Sequence, residues 1–136
     1  LKTRKSRKRE ETAAAPMLPP GEIAHRELAE IQAMKLPGKG EFKHYYILIS
    51  ESVRKFLGAE YHFPVLERTT AEILSEIQYR NMPDTIKRRV STFLPEADMV
   101  KFAKAKPGPE MHDRIWHSCM RTVELTEPKE EEAHDA

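Results

Sequence analysis

A chain of 136 residues makes one modest domain, large enough to bury a single core without disulfide or metal support. Charged residues make up 33% and hydrophobic ones 39%, mean hydropathy is -0.67, and no apolar run approaches the ~18–20 residues that span a bilayer. The net charge of +1 conceals a basic N-terminus, LKTRKSRKRE, and an acidic C-terminus, TEPKEEEAHDA; the single cysteine excludes an internal disulfide and suits a reducing compartment.

Residues 1–20 read as a basic juxtamembrane arm and proline-rich linker, expected to be disordered. Lys2, Arg4, Lys5, Arg7, Lys8 and Arg9 follow the initial leucine directly, as on the cytoplasmic flank of a transmembrane helix lying outside this stretch. Such a cluster is attracted to an anionic lipid surface. A solvated or nucleic-acid-binding tail has the same composition. TAAAPMLPPG, with its three prolines, then leads to a helical domain over 21–126.

Residues 22–35 place Ile23, Leu28, Ile31 and Met34 on one helical face with Ala24 beside them, and LPGKG stops the helix. In 41–57, Phe42, Tyr45, Tyr46, Ile49, Val53, Phe56 and Leu57 recur at three- and four-residue steps; Ile47 and Leu48 widen the stripe, so this helix is expected to be central. Gly58 is placed to end it. Residues 59–68 are too apolar for a free loop and read as an extended connection laying Tyr61, Phe63, Val65 and Leu66 over the core.

TTAEILSEIQYR (69–80) opens with a capping box between Thr69 and Glu72 and buries Ile73, Leu74 and Ile77. Pro83 opens the next helix, over 82–94, with Ile86, Val90, Phe93 and Leu94 inward. Pro95 is read as the start of a separate short helix, Glu96 and Asp98 in its first turn and Lys101 and Lys104 in its last. The last helix, 109–126, turns Ile115, Trp116, Cys119 and Val123 inward, and the acidic tail over 127–136 is expected to be disordered. The sum is an all-α, irregular bundle of about five to six helices.

Little in this pattern asks for chemistry. The six histidines (His25, His44, His62, His112, His117 and His134) include no pair at i, i+3 or i, i+4, whereas zinc needs three or four converging ligands. Ser50, Ser52 and Cys119 lack a recognisable base partner, and the five glycines form no phosphate cradle. No catalytic, metal or cofactor-binding residue is expected, and the chain is read as non-enzymatic. A hydrolase would need a pocket of converging polar groups. The run TTAEILSEI followed by IKRRVSTFL has helix-turn-helix spacing, with Lys87, Arg88 and Arg89 placed to meet phosphate. Outside the arm, however, the domain is not basic, so a solvated helix face is favoured over nucleic acid.

The stretches YYILISESVRKFLGAEYHFPVLERTTAEILSEI and ADMVKFAKAKPGPE resemble the cytoplasmic domain of a family of bacterial membrane proteins. Members have a single transmembrane helix and are encoded beside MoxR-type AAA+ ATPases and von Willebrand A-domain proteins; the tail of the related BatD proteins is similar. The resemblance spans residues 22–126 and is strongest over 45–74 and 97–107. Ser50, Glu51, Arg54, Phe56 and Leu57 fit its first cluster, and Thr69, Thr70, Glu72, Ile73 and Leu74 its second. Ala97, Asp98, Val100, Lys101, Phe102 and Ala103 fit the third, with Met99 for a leucine. Pro64 and Gly108 depart from the pattern. The resemblance implies a domain on the inner face of the bacterial cytoplasmic membrane, with the ATPase and A-domain proteins as partners and mainly structural motif residues. It implies no activity of the domain's own.

On this reading Met99, Val100 and Phe102 fill the gap between neighbouring helices while Lys101, Lys104 and Lys106 snorkel outward. The competing assignment makes Lys101 and Lys104 part of a docking face for an acidic partner. Tyr45, Tyr61 and Tyr79 are the candidate anchors of an exposed aromatic patch, with the core as their alternative place.

Overall fold

Pro20 supplies a backbone angle suited to a first helical turn and lacks an amide that would need a partner there, so helix α1 (Pro20–Ala33) begins at it. The computed structural model describes residues 18–103 and 107–124. The basic arm, Lys104 and the acidic tail lie outside the described residues. A short 3-10 turn (Pro37–Lys39) reverses the chain into α2 (Phe42–Tyr61), which is followed by α3 (Thr70–Ile77), α4 (Asp84–Ala103) and α5 (Pro109–Glu124). Helix α1 packs on α2, α2 on α4 and α4 on α5; α5 also reaches α1 and α2, and the short α3 leans on α4. Among the described residues there are five helices and no strand, an irregular all-α bundle.

Helix α2 is the central element. Tyr45, Tyr46, Ile49, Val53, Phe56 and Leu57 are buried, with Phe42 and Leu48 packed at the edge of the core, whereas Ile47 is 38% exposed. In α1 the buried line is Ala24, Leu28 and Ile31. Ile23 and Met34, expected inside, lie exposed because they sit about a quarter-turn to one side of that line.

Gly58 does not end α2, which runs on to Tyr61 and closes at His62, whose φ of 56° lies in the left-handed region. The glycine serves the following connection instead. A Cβ on Gly58 would lie 3.0 Å from the Phe63 carbonyl oxygen and 3.0 Å from Val65 Cγ2, so the returning chain needs the missing side chain. The connection is fastened by Arg54, whose Nη2 donates to the Val65 carbonyl at 2.9 Å and to the Arg68 carbonyl. Phe63 and Val65 are buried as expected, but Leu66 points to solvent.

Helix α3 starts with the anticipated capping box. The Glu72 amide donates to Thr69 Oγ1 at 3.1 Å and the Thr69 amide to Glu72 Oε1 at 2.9 Å. Glu76 pairs with Arg68 at 3.1 Å and with Arg80 at 2.9 Å; the Arg80 guanidinium lies 4.9 Å from the centre of the Phe63 ring.

Pro95 does not open a new element. It lies inside the 20-residue α4, which unites the two helices expected on either side of it. The ring removes one helical hydrogen bond, to the carbonyl of Ser91, a residue on the exposed side of the helix. Leu94 and Ala97, on the buried side of the same turns, are both fully buried and hold the axis through the break.

Candidate interaction surface

The continuous phase of α4 decides which of its residues are accessible. Ile86, Val90, Phe93, Leu94, Ala97 and Val100 form the inward line, and Lys101 continues it. Lys101 is therefore buried, in contrast to the snorkelling or docking lysine expected from sequence. Its Nζ pairs with Asp98 at 3.2 Å and donates to Ser50 Oγ of α2 at 3.5 Å, which ties α4 to α2. Phe102 and Met99 are displaced in the opposite sense: expected as core plugs, they are 74% and 57% exposed. Adjacent helix positions differ by about 100°. Lys101 lies at the edge of the inward line, next to Val100, so the next step carries Phe102 out to solvent.

Pro95, Met99 and Phe102 thus recur at steps of four and three on the outward face of α4. Towards the start of the helix the same face carries Arg88, Ser91 and Thr92, all exposed. Lys87, at its edge, donates to the Gln78 carbonyl at 3.5 Å. Arg89 Nη1 donates to the Arg121 carbonyl of α5 at 3.2 Å, so the end of α5 lies beside this basic half.

The three tyrosines proposed as anchors separate. Tyr45 is a core residue, 1% exposed; its hydroxyl donates to Gln32 Oε1 at 3.1 Å and its ring meets Tyr46 edge-on at 5.2 Å. It therefore cannot belong to a surface patch. Tyr61 is half-buried against Phe56, edge-to-face at 6.5 Å, and burial, reinforced by Glu60, pushes its hydroxyl up to about 12. Tyr79, just beyond α3, is 87% exposed and remains available.

The remaining motif residues are structural. Arg54 fastens the connection after α2, Phe56 and Leu57 are core, and Thr69 and Glu72 cap α3 with Thr70 as its first residue. The Thr69 amide holds the Glu72 carboxyl below its ordinary value. Arg80 and then Arg68 do the same for Glu76.

His112 accounts for one feature that the sequence pattern did not signal. Its Nδ1 lies 2.9 Å from the Tyr46 hydroxyl, and its ring sits 5.3 Å from that of Tyr45 and 6.4 Å from that of Phe42. This cluster joins α5 to α2. Burial pushes the hydroxyls of Tyr45 and Tyr46, and the thiol of Cys119, well above their ordinary values, so all three stay neutral and unreactive. Among the described residues no three His, Cys, Asp or Glu side chains converge as metal ligands, and no helix is long and apolar enough to cross a membrane.

Two apolar grooves complete the surface. One lies between α1 and α2, floored by Ala24 and Phe56 and crossed by the Lys55–Glu27 pair at 2.6 Å. The other, between α1 and α5, is lined by Ala29, Ala33, Trp116 and Met120 with His25 and Gln32 at its polar edge. The chain matches no protein-family model, no curated protein and no solved structure.

Proposed function

We propose that this chain is a non-enzymatic interaction module, an adaptor tethered at the inner face of a bacterial cytoplasmic membrane. Its proposed partners are a MoxR-type ATPase and von Willebrand A-domain proteins, taken from the family resemblance. The basic arm, Lys2 to Arg9, is assigned to the anionic lipid surface.

The observation that carries the interaction reading is the outward face of α4, where Met99 and Phe102 spend apolar surface on water. Interior polar side chains support the non-enzymatic part, because they serve the framework. Ser50 accepts from Lys101, Ser52 donates to Glu27 at 2.9 Å, and Thr122 donates to the Ser118 carbonyl at 2.8 Å. Affinity purification of the membrane-inserted chain tests the reading: it is expected to retain the A-domain protein and the ATPase together.

A second reading is favoured by one specific observation. The exposed start of α4 presents Arg88, Ser91 and Thr92 behind the short α3, as a nucleic-acid-reading helix does. Steeply salt-dependent binding of duplex DNA that survives removal of residues 1–20 establishes that reading and displaces the adaptor.

A further inference from the structure

The run IKRRVSTFL at the start of α4 is only half explained by the core: Ile86, Val90, Phe93 and Leu94 are buried, whereas Arg88, Ser91 and Thr92 face solvent. Lys87, Arg88, Ser91 and Thr92 line one shallow hollow with Gln78 and Asp84. The two hydroxyls there differ. Thr92 Oγ1 is engaged, donating to the Arg88 carbonyl at 3.1 Å, whereas among the described residues the Ser91 hydroxyl has no partner. Lys87 and Arg88 stand one turn before Ser91, at i−4 and i−3, and enter no ion pair among the described residues. Asp84, the carboxylate in the hollow, is about 10 Å from Ser91 along the axis, farther than either cation. Pro95 has no amide to offer the Ser91 carbonyl, so the turn that carries this serine has lost a helical bond.

We propose that Ser91 is a phosphorylation site for an ATP-dependent, arginine-directed serine kinase, and that Lys87 and Arg88 receive the phosphate. In the transfer, Ser91 Oγ bonds to the γ-phosphorus of ATP, and the bond from that phosphorus to the β,γ-bridging oxygen breaks. ADP leaves, and the hydroxyl proton passes to the kinase's catalytic carboxylate. Arg88 and Arg89, three and two residues before the serine, supply the charge pattern that such an enzyme selects. In-line attack requires the turn around Ser91 to open; burial of Val90 and Phe93 opposes opening, and the bond missing at Pro95 favours it. Once attached, the phosphate carries nearly two negative charges beside two cations that lack an acidic partner. Ser91, Pro95 and Met99 share one stripe at four-residue steps, so modification cancels the positive charge next to the exposed apolar surface of α4. The site stands independently of the adaptor reading.

The test incubates the full chain with magnesium ATP and the catalytic domain of an arginine-directed serine kinase, and locates phosphate by peptide mass spectrometry. One phosphoryl group on Ser91 is expected. Ser91→Ala removes it, Thr92→Val leaves it, and Arg88→Gln lowers kcat/KM about tenfold or more. Pro95→Ala, which restores the helical bond, slows the reaction of the folded chain but not that of a peptide spanning 84–96. In the folded phosphoprotein, phosphorus NMR is expected to place the second phosphate ionisation below its usual value of about 6, and unfolding in urea returns it there. Phosphate confined to Ser6 of the basic arm, or to any hydroxyl other than Ser91, overturns the proposal. So does a Ser91 that accepts phosphate only in the peptide or in urea. An ionisation at the same pH in the folded and unfolded phosphoprotein overturns the assignment of Lys87 and Arg88 as its partners.

Discussion

At the level of single residues, two backbone positions at the end of α2 carry opposite expectations. Gly58 sits within a helix, where alanine is favoured over glycine by about 1 kcal/mol on propensity alone. Yet the Cβ would press on the Phe63 carbonyl, which belongs to backbone and cannot rotate away. Gly58→Ala is therefore expected to lower stability by about 1–3 kcal/mol, the cost of overpacking, as read from urea unfolding. His62 is the reverse case. Its side chain is exposed and its φ of 56° is one that non-glycine residues adopt at a cost, so His62→Gly is expected to raise stability by about 1 kcal/mol. A sequence-only reading assigns the helix stop to the glycine. The structure assigns it to the histidine, because the loop's return makes Gly58 indispensable for space rather than for φ.

Among the elements, α4 is where local rules and packing disagree. The stripes of α2 and the capping box of α3 were legible because burial follows helical spacing and a cap is a local hydrogen-bond exchange. Pro95 misleads for a related reason: as a local signal it stops a helix, but Leu94 and Ala97 on either side share one buried face. The clue lay in the phase. Ile86, Val90, Phe93, Ala97 and Val100 keep three- and four-residue steps straight through the proline, and that phase puts Phe102 outside and Lys101 inside. Restarting the count at Pro95 exchanges those two neighbours, and with them the candidate site. The pairing of Lys101 with Asp98 and Ser50 is not readable from spacing, since Ser50 arrives from another helix. Because the helix runs through this position, Pro95→Ala restores its lost hydrogen bond. It is expected to stabilise the protein by about 1–3 kcal/mol, whereas a chain broken there gains nothing.

For the whole molecule, both limits of pH act on the fastenings between elements. Glu76 joins Arg68 and Arg80, and its carboxyl is held below the ordinary value of 4.5. This depressed value contributes stability that is present above that ordinary value and fades as pH falls through the folded one. Glu76→Gln is expected to flatten the acid limb of a urea-midpoint profile. The alkaline limb has the opposite sign. Tyr45 and Tyr46 ionise at 10.0 when free and much higher when folded, because burial disfavours the phenolate. The unfolded chain thus releases these protons first, so the tyrosines' contribution to stability is intact below pH 10.0 and is lost as pH rises beyond it. Cys119 begins the same trend one unit lower, from its free value of 9.0. Tyr46→Phe separates the two roles of the hydroxyl. At neutral pH it loses the bond to His112 and about 1 kcal/mol with it. Above pH 10.0 it removes one of the titrating groups, so its stability falls less steeply than that of the unaltered protein and the two curves converge. Parallel curves would mean that the Tyr46 hydroxyl ionises as freely in the fold as outside it, and that the aromatic cluster joining α5 to α2 is open to water.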